Sequence, residues 1–433
     1  MSRATTPRQN VASRPHKRVG EKTTAERAPS TRSSGPVLLL IGVVVVLNLI
    51  GAVMVLSASS VVSLSSYGSA WWVFERQLVW TALGAVAFFV AFKIDYRRWQ
   101  QWAVPLTVAA TALCAVVLLP NVGIMVGGSR RWLGMGWMRF QPSELAKLAV
   151  LLFAADLLTR RHDEIGDWRA VLRPVLMVFG TLAALVYIEP DLDSTVVLGL
   201  ITVSVLIAGG VRLRHLGTLA GVGVAAVAIM AVAEPYRRAR VFTFLHPTAD
   251  ASNAGYQIVQ SLIALGSGGV TGVGLGAGSA KWHFLPNAHT DFVFSIIGEE
   301  LGLVGCVLVL SLFVGFAVFG VAIALRAADR FGMLLAAGIT VWVTAQAAIN
   351  IGGVTGLLPV SGIPLPFVSF GGSSLIILLA CTGILVNIGR RSHANTRSLV
   401  AVAPREGDDR GRRDGRPRDA GSGGGRRVAR AGS

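Results

Sequence analysis

Residues 36–58, PVLLLIGVVVVLNLIGAVMVLSA, form an apolar run without a single charged side chain. As a helix, a run of this length crosses about 30 Å of hydrocarbon, whereas apolar runs in soluble proteins are shorter and amphipathic. The whole chain has 433 residues, of which 53% are hydrophobic and 15% charged, and its mean hydropathy is +0.60. These values exclude a soluble globular protein and indicate an integral membrane protein.

Outward from this first run, the chain contains ten apolar segments long enough to span a membrane. They predict an all-α polytopic membrane protein with ten transmembrane helices. A large extracytoplasmic loop, residues 234–291, is predicted between helices seven and eight. The predicted spans are 36–58, 73–92, 103–120, 143–159, 172–188, 194–209, 215–233, 292–325, 331–354 and 367–389.

The net charge of +17 is concentrated at the two ends of the chain. Residues 1–35 carry +6 and residues 390–433 carry +7, which leaves +4 for the predicted membrane domain, 36–389. Both ends have few large apolar residues, so we predict disordered basic cytoplasmic tails. Their charge suits an anionic membrane surface better than nucleic acid. A cleavable signal peptide is not expected, because a long polar stretch precedes the first apolar run.

An even number of spans places both termini on the same side of the membrane. Cytoplasmic loops carry an excess of Lys and Arg, and the loops on the side of the two tails show this excess. Both termini are therefore predicted to be cytoplasmic, with 121–142, 234–291 and 355–366 outside. The basic residues of the predicted inner loops are Lys93, Arg97, Arg98, Arg160, Arg161, Arg169, Arg173, Arg212, Arg214, Arg326, Arg330, Arg390 and Arg391.

Two of the predicted outer segments also contain cations, against this bias. These are either surface charges of the kind that long loops tolerate, or a binding site for a phosphate-bearing ligand. Arginine suits the second reading because it offers two parallel hydrogen bonds to phosphate oxygens. The residues are Arg130, Arg131, Arg139, Arg237, Arg238, Arg240 and Lys281.

The outer segment 234–291 is too long for a bare connection. Residues 255–265, GYQIVQSLIAL, have the apolar spacing of a helix that lies on or re-enters the membrane interface. The glycines between 266 and 278 are predicted to allow tight turns and close backbone approach. A dinucleotide-binding loop is not expected, because no strand precedes them.

Asp291 lies at the predicted outer mouth of the eighth span, where the helix dipole favours a carboxylate. It is either a helix cap or, with His289 and Lys281 nearby, a carboxylate tuned for proton abstraction. A metal site of His283, His289 and Asp291 matches no strong zinc spacing. The three cysteines are far apart within apolar runs and predict neither a disulfide nor a zinc site.

Ionisable and amide side chains also fall within or beside the predicted spans. Such groups usually face the interior of a helix bundle or a polar cavity. Alternatively, each forms an ion pair or hydrogen bond that fixes the packing of the helices, as a Glu144–Lys147 pair would. Together they favour a polar cavity that opens outward. The residues are Glu144, Lys147, Glu189, Asp191, Asp193, Glu299, Glu300, Gln346 and Asn350.

Several separated motifs resemble the FtsW/RodA/SpoVE (SEDS) family of polymerases. The longest is Asn350–Ser374, NIGGVTGLLPVSGIPLPFVSFGGSS, which has Phe370 where Tyr, Ser or Ala is usual. The resemblance covers residues 36–390, and Leu262–Gly269 with Ser57–Ser59 is more similar to the division branch of the family than to the elongation branch. The other motifs are Ser129–Trp132, Gln141–Glu144, Glu189–Asp191, Gly255–Gln257, His289–Phe292 and Gly298–Gly302.

The resemblance implies a peptidoglycan glycosyltransferase that polymerises lipid II, a polyprenyl-diphosphate disaccharide-pentapeptide. The reaction would take place on the outer face of the cytoplasmic membrane, at the division septum. Asp291 matches the essential acid of the family and would be the general base, and Arg131 would stabilise the leaving diphosphate. Asn287 replaces a glutamate that is common in the family. The residues expected to bind substrate are Arg131, Glu144, Lys147, Lys281, His289, Glu299 and Ser369.

The resemblance also implies partners. These are a class B penicillin-binding protein that cross-links the glycan strands, other division proteins and the membrane lipid, with no nucleic acid. A divalent cation such as Mg²⁺ is an open expectation. Two further functions stay open from the sequence: a lipid II flippase, suggested by the intramembrane ionisable residues, and a non-catalytic division scaffold, suggested by the tails.

Overall fold

The computed structural model describes residues 35–126, 129–233, 238, 242–244, 246 and 255–402. This part of the chain is predominantly helical. A π-helical turn, Trp168–Leu172, leads into the fifth helix. The helices are α1 Gly35–Tyr67, α2 Trp72–Lys93, α3 Arg98–Val117, α4 Pro142–Arg160, α5 Arg173–Ile188, α6 Leu192–Ala208, α7 Leu213–Ala233, α8 Tyr256–Ser267, α9 Val293–Leu325, α10 Arg330–Val354 and α11 Ser373–Val402.

Seven helical segments of the described chain are long and apolar enough to cross a membrane. The prediction of a multi-pass helical membrane protein is thereby confirmed. Helices α4, α6 and α7 also match predicted spans but do not meet the same limits of length and composition, so ten spans and a large outer loop stay predictions. The seven segments are Gly35–Tyr67, Trp72–Lys93, Arg98–Val117, Trp168–Ile188, Val293–Leu325, Arg330–Val354 and Ser373–Ser392.

Of the two predicted tails, the structure describes only Gly35 and residues 390–402. Residues 1–34 and 403–433 lie outside the described residues, as do Arg237 and Arg240 of the predicted outer loop. Helix α11 continues to Val402, so a helix covers the first part of the segment 390–433, for which we predicted disorder. Residues 390–402 contain neither glycine nor proline, so no residue in them interrupts a helix that begins at Ser373.

A three-stranded antiparallel sheet between α3 and α4 corrects the all-α prediction. Its strands are β1 Ile124–Val126, β2 Ser129–Met135 and β3 Met138–Phe140. The turn between β2 and β3 needs Gly136, whose φ of +59° is unfavourable for residues with a Cβ. Strands of three to seven residues are too short to show a clear alternation of apolar and polar residues. This sheet carries Arg131 and Arg139.

The glycine-rich segment after α8 packs against a break in α9. Gly302, with φ of +66°, interrupts the helix. Backbone groups released by the break bond to the glycine segment, as where the Leu303 N–H donates to the Gly269 carbonyl at 3.0 Å. A Cβ on Gly272 would overlap the carbonyl oxygen of Glu300. The prediction of close backbone approach by these glycines is confirmed, and the contact fixes the loop that leads to Asp291.

At the opposite end of the bundle, polar contacts join the loops that connect the helices. Arg97 Nε lies 2.8 Å from Asp329, and the Tyr96 hydroxyl donates to the same carboxylate at 2.6 Å. Asn387 of α11 accepts from the Tyr96 N–H at 3.1 Å. These contacts fix α2, α3, α10 and α11 relative to one another, and thereby hold in place the other ends of these helices, where the cavity described below is built.

Candidate active site

A cavity of about 990 Å³ lies at the end of the bundle where α2, α4, α6, α9 and α11 begin. This volume is at the upper end of the range for small-molecule sites, so the cavity has room for a substrate larger than one sugar. Its lining combines indole rings with charged and amide groups. The polar and aromatic lining residues include Tyr67, Trp72, Arg76, Trp80, Arg131, Trp132, Trp137, Arg139, Gln141, Glu144, Asp191, Gln257, Asn287, His289, Thr290 and Asp291.

Asp291 reaches the cavity from a loop that is fixed at both ends. Asn350 Nδ2 of α10 donates to the Asp291 carbonyl at 2.8 Å. The Phe370 N–H donates to the His289 carbonyl at 3.0 Å, and Asn287, with φ of +57°, turns the chain into α9. Asp291 is partly exposed and lies two residues before the first residue of α9. Its carboxylate is therefore held at a helix N-terminus, where the dipole stabilises negative charge.

His289 lies beside Asp291 in the same lining. Burial lowers the pKa of His289 to about 4, so the imidazole is neutral at pH 7. Its Nδ1 is buried without a hydrogen-bond partner among the described residues. His289 therefore places no positive charge beside Asp291. Its neutral ring can donate or accept a hydrogen bond with a ligand.

Arg131 of β2 is oriented by a carboxylate across the cavity. Its Nη1 lies 3.8 Å from Asp191 Oδ1, and 26% of its side chain is exposed. Asp191 caps α6 by accepting from the Ser194 N–H at 3.1 Å, and it accepts from Gln141 Nε2 at 2.8 Å. Because Asp191 is fixed by these bonds, it holds the guanidinium of Arg131 at the cavity wall.

Glu189, at the end of α5, is completely buried beside this pair. Burial, and then the neighbouring charge of Asp191, raise the pKa of Glu189 to about 8. The carboxyl group is therefore mostly protonated at pH 7. It does not compete with Asp191 for the charge of Arg131.

Glu144 and Lys147 form the predicted pair one turn apart on α4. Lys147 Nζ lies 2.8 Å from Glu144 Oε1, and both side chains are buried. The lysine also lies over Trp342, with Nζ 5.6 Å from the ring centroid. Glu144 reaches the cavity lining, and its Oε2 is buried without a partner among the described residues. Lys147 thus fixes Glu144 from behind, and the second carboxylate oxygen lies enclosed at the cavity wall without a partner among the described residues.

Comparison with known proteins decides the family. The profile of the FtsW/RodA/SpoVE family, described as cell cycle protein, matches residues 37–394. This chain belongs to the FtsW/RodA/SpoVE family. It is 38% identical over 354 residues to the probable peptidoglycan glycosyltransferase FtsW of Geobacter metallireducens, which covers 82% of this chain and 94% of the relative. Stage V sporulation protein E of Bacillus subtilis is 39% identical over 364 residues, covering 84% and 99%.

Solved structures show the same family relationship. The chain is similar to one from a study described as structural coordination of polymerization and crosslinking by a peptidoglycan synthase complex. The TM-score is 0.66 and the identity 30%, over 83% of this chain and 98% of that chain. Rod shape determining protein RodA of Thermus thermophilus gives a TM-score of 0.61 at 29% identity, over 83% and 97% of the two chains.

Besides Lys147, which is buried against Glu144 and does not line the cavity, three residues expected to bind substrate in this SEDS chain are not in its lining. Lys281 pairs with Glu300 at 2.9 Å. Glu299 accepts from the Ser279 N–H at 2.7 Å and so holds the glycine-rich segment. Ser369 accepts from the Leu365 N–H at 2.9 Å within the loop before α11. All three are buried and bonded within the protein, so their contacts indicate structural roles.

The sequence reading missed Arg76 and Trp137, which the structure brings to the cavity. Arg76 lies within the predicted span 73–92. A charged residue inside an apolar span usually faces the bundle interior or a polar cavity, so its position indicated a functional residue. Among the described residues, the structure contains no group of three His, Cys, Asp or Glu side chains able to hold a metal ion. His283 is exposed, and the cavity lining holds His289 and Asp291 without it.

Proposed function

We propose that this chain is a peptidoglycan glycosyltransferase that polymerises lipid II into glycan strands, with Asp291 as the general base. The observation that carries the proposal is the presence of Asp291 and Arg131 in the lining of one large cavity. Such a cavity places a base and a cation around one substrate, as transfer of a sugar from a diphosphate requires. Relatives named peptidoglycan glycosyltransferase support this activity.

In the proposed reaction, the carboxylate of Asp291 takes the proton from the 4-hydroxyl of the acceptor sugar. The hydroxyl oxygen then forms a bond to the anomeric carbon of the donor, and the bond from that carbon to the diphosphate oxygen breaks. Polyprenyl diphosphate leaves with the bonding electrons. Arg131 stabilises the charge that grows on the diphosphate.

A Mg²⁺ ion shared with the substrate would add charge stabilisation at the diphosphate. Magnesium usually needs only one or two protein carboxylates together with substrate phosphates, and Asp191 and Asp291 are both in the lining. Both oxygens of Asp191 already accept hydrogen bonds within the protein and face Arg131, so of the two only Asp291 would hold such an ion, and no step of the reaction is assigned to it. The proton transfer described above does not depend on it.

The flippase alternative receives less support. Its motivation was the set of intramembrane ionisable residues, but Glu144 and Lys147 are bonded to each other and fixed on one helix. The described cavity lining comes from one end of the bundle. A flippase needs a path that opens alternately to both sides. The scaffold alternative gives no reason for a base and a cation in one cavity.

We further propose that the protein acts in the cytoplasmic membrane at the division septum, with both termini cytoplasmic. The excess of Lys and Arg in the predicted inner loops supports this orientation. A class B penicillin-binding protein is the proposed partner, together with other division proteins. The similar chain from a study of a peptidoglycan synthase complex that couples polymerization and crosslinking supports such a partner.

The test is polymerisation of labelled lipid II by purified full-length protein and its variants. Asp291→Asn keeps the shape of the side chain but removes the base, so we expect no glycan product above background. Asp163→Asn is the control, because Asp163 is 88% exposed and follows α4 at the opposite end of the bundle. Normal polymerisation by a folded Asp291→Asn protein would contradict the proposal.

A further inference from the structure

One corner of the cavity, which we call the aromatic corner, is built by Tyr67, Trp72, Arg76, Trp80 and Trp137. These residues come from the end of α1, the first half of α2 and the turn between β2 and β3. The mechanism proposed above uses none of them. All five line the same cavity as Asp291.

Ring contacts fix the shape of the aromatic corner. Trp72 stacks on Tyr67 with ring centroids 3.5 Å apart, and the Arg76 guanidinium carbon lies 2.8 Å from the centroid of Trp72. Trp80 is only 6% exposed and meets Trp137 edge to face, with centroids 6.0 Å apart. Trp137 is thus supported by a buried ring while 40% of it remains exposed. Arg76 lies 5.5 Å from the Trp137 centroid.

The arginines of the cavity differ in their partners. Arg131 has the carboxylate of Asp191, whereas Arg76 and Arg139 have no carboxylate within ion-pair distance among the described residues. Arg76 donates from Nη1 to the Trp72 carbonyl at 2.9 Å. Its Nε is buried and has no acceptor in the described part of the chain.

Arg76 is a cation that lines the cavity without a carboxylate partner among the described residues, and such a charge is costly to hold away from water unless a counter-ion completes it. An anion in the cavity would supply that counter-ion, because a guanidinium donates from several nitrogens in a fixed fork. The exposed ring of Trp137 beside it offers an apolar face to whatever carries the anion.

We infer that the aromatic corner is a second substrate subsite, in which Arg76 binds an anionic group of the glycolipid and Trp137 packs against the adjoining part of the same molecule. The inference rests on the proposed function. The anionic group is either the diphosphate or a carboxylate of the attached peptide, since a guanidinium binds both in the same way. Arg131, already paired with Asp191, then serves the reacting end of the cavity.

The experiment measures both binding and catalysis on purified full-length protein. Quenching of tryptophan fluorescence reports binding, because Trp72 and Trp137 lie beside Arg76. The probes are undecaprenyl diphosphate and lipid II. The variants are Arg76→Gln, Arg76→Lys and Trp137→Leu. Arg130→Gln is the matched control, since Arg130 lies on β2 but is not in the cavity lining.

We expect Arg76→Gln to raise the KM for lipid II by roughly tenfold or more, with kcat changed by less than about twofold. Arg76→Lys restores part of the affinity, because it keeps the charge but not the fork of donors. Trp137→Leu raises KM by about threefold, since it removes only a packing surface. Arg130→Gln behaves as the wild type.

If Arg76→Gln weakens binding of both probes, the bound anion is the diphosphate. If it weakens lipid II alone, the anion is a peptide carboxylate, and the subsite stands in either case. Unchanged binding of both probes by folded Arg76→Gln and Trp137→Leu proteins would overturn the inference and leave these rings as an interfacial aromatic belt. Arg76-dependent binding by a wild type that makes no glycan would instead contradict the proposed function alone.

Discussion

The described part of the chain contains two buried lysine–carboxylate pairs in two regions of the molecule. Lys147 and Glu144 lie 2.8 Å apart on α4, and Lys281 and Glu300 lie 2.9 Å apart between the glycine-rich segment and α9. Ser57 donates to Glu300, and Lys281 donates to the Gly276 carbonyl, so the second pair has further partners within the protein. The first pair leaves Glu144 Oε2 without one among the described residues.

The difference shows that the pairing itself does not identify a functional group. Glu144 lines the cavity and one of its oxygens has no partner among the described residues, whereas Glu300 and Lys281 are bonded to the elements that they join. Buried pairs of this kind are weak evidence for stability or for function until their remaining bonds are counted.

Neutralising both residues of each pair tests most strongly whether the two pairs have different roles. We expect Glu144→Gln with Lys147→Met to lower the rate of lipid II polymerisation by roughly a hundredfold, because the charge facing the substrate is lost. Glu300→Gln with Lys281→Met should keep the rate of the folded protein within about fivefold, because neutralising both partners leaves no unpaired charge. Initial rates, normalised to the folded fraction from gel filtration, measure both. Equal losses would show that the two pairs have the same role.

The glycine-rich segment gives a second, smaller effect. Gly272 has φ of +82°, and a Cβ there would overlap the Glu300 carbonyl, so Gly272→Ala should lower the free energy of unfolding by about 2–3 kcal/mol. Gly266→Ala is the matched control within α8, where a Cβ meets nothing within 4 Å and helix propensity favours alanine. Thermal unfolding in detergent compares the two. A Gly272→Ala protein as stable as Gly266→Ala would show that the segment is not packed on α9.

The smallest effect concerns His289 and pH. Burial lowers the pKa of His289 to about 4, whereas an exposed histidine titrates near 6.5. Between these values the unfolded chain binds a proton that the folded chain excludes, so stability falls as the pH decreases from 6.5 toward 4. We expect this decrease to be smaller in His289→Gln, by about 1–2 °C in Tm. Identical pH dependence of Tm in the two proteins would contradict a neutral imidazole in the folded protein.

Much of the architecture could be predicted from sequence, because an apolar run of span length is typical of a transmembrane helix. The small sheet could not, since its short strands carry arginines and glycines rather than an apolar alternation. The extension of α11 to Val402 was not predicted. The prediction of disorder relied on the charge and composition of residues 390–433 and gave too little weight to the absence of glycine and proline from 390–402.

Part of the candidate site could also be predicted. Asp291, His289, Arg131 and Glu144 are in the cavity lining, as a reading of ionisable groups near span ends suggested. Lys281, however, was placed near Asp291 because the two are close in sequence, and the turns of the glycine-rich segment carry it to Glu300 instead. The number of residues between two side chains predicts whether they are in contact on one helix, but not whether they are in contact in a folded loop.

The most direct measurement of the central claim separates substrate binding from chemistry in Asp291→Asn. Lipid II is added over a range of concentrations to the wild type and to the variant, and bound substrate and glycan product are quantified at each concentration. The account predicts that the variant binds lipid II within about threefold of the wild-type affinity and forms no polymer, because only the base is lost. Polymer formed by the variant at the wild-type rate would contradict it.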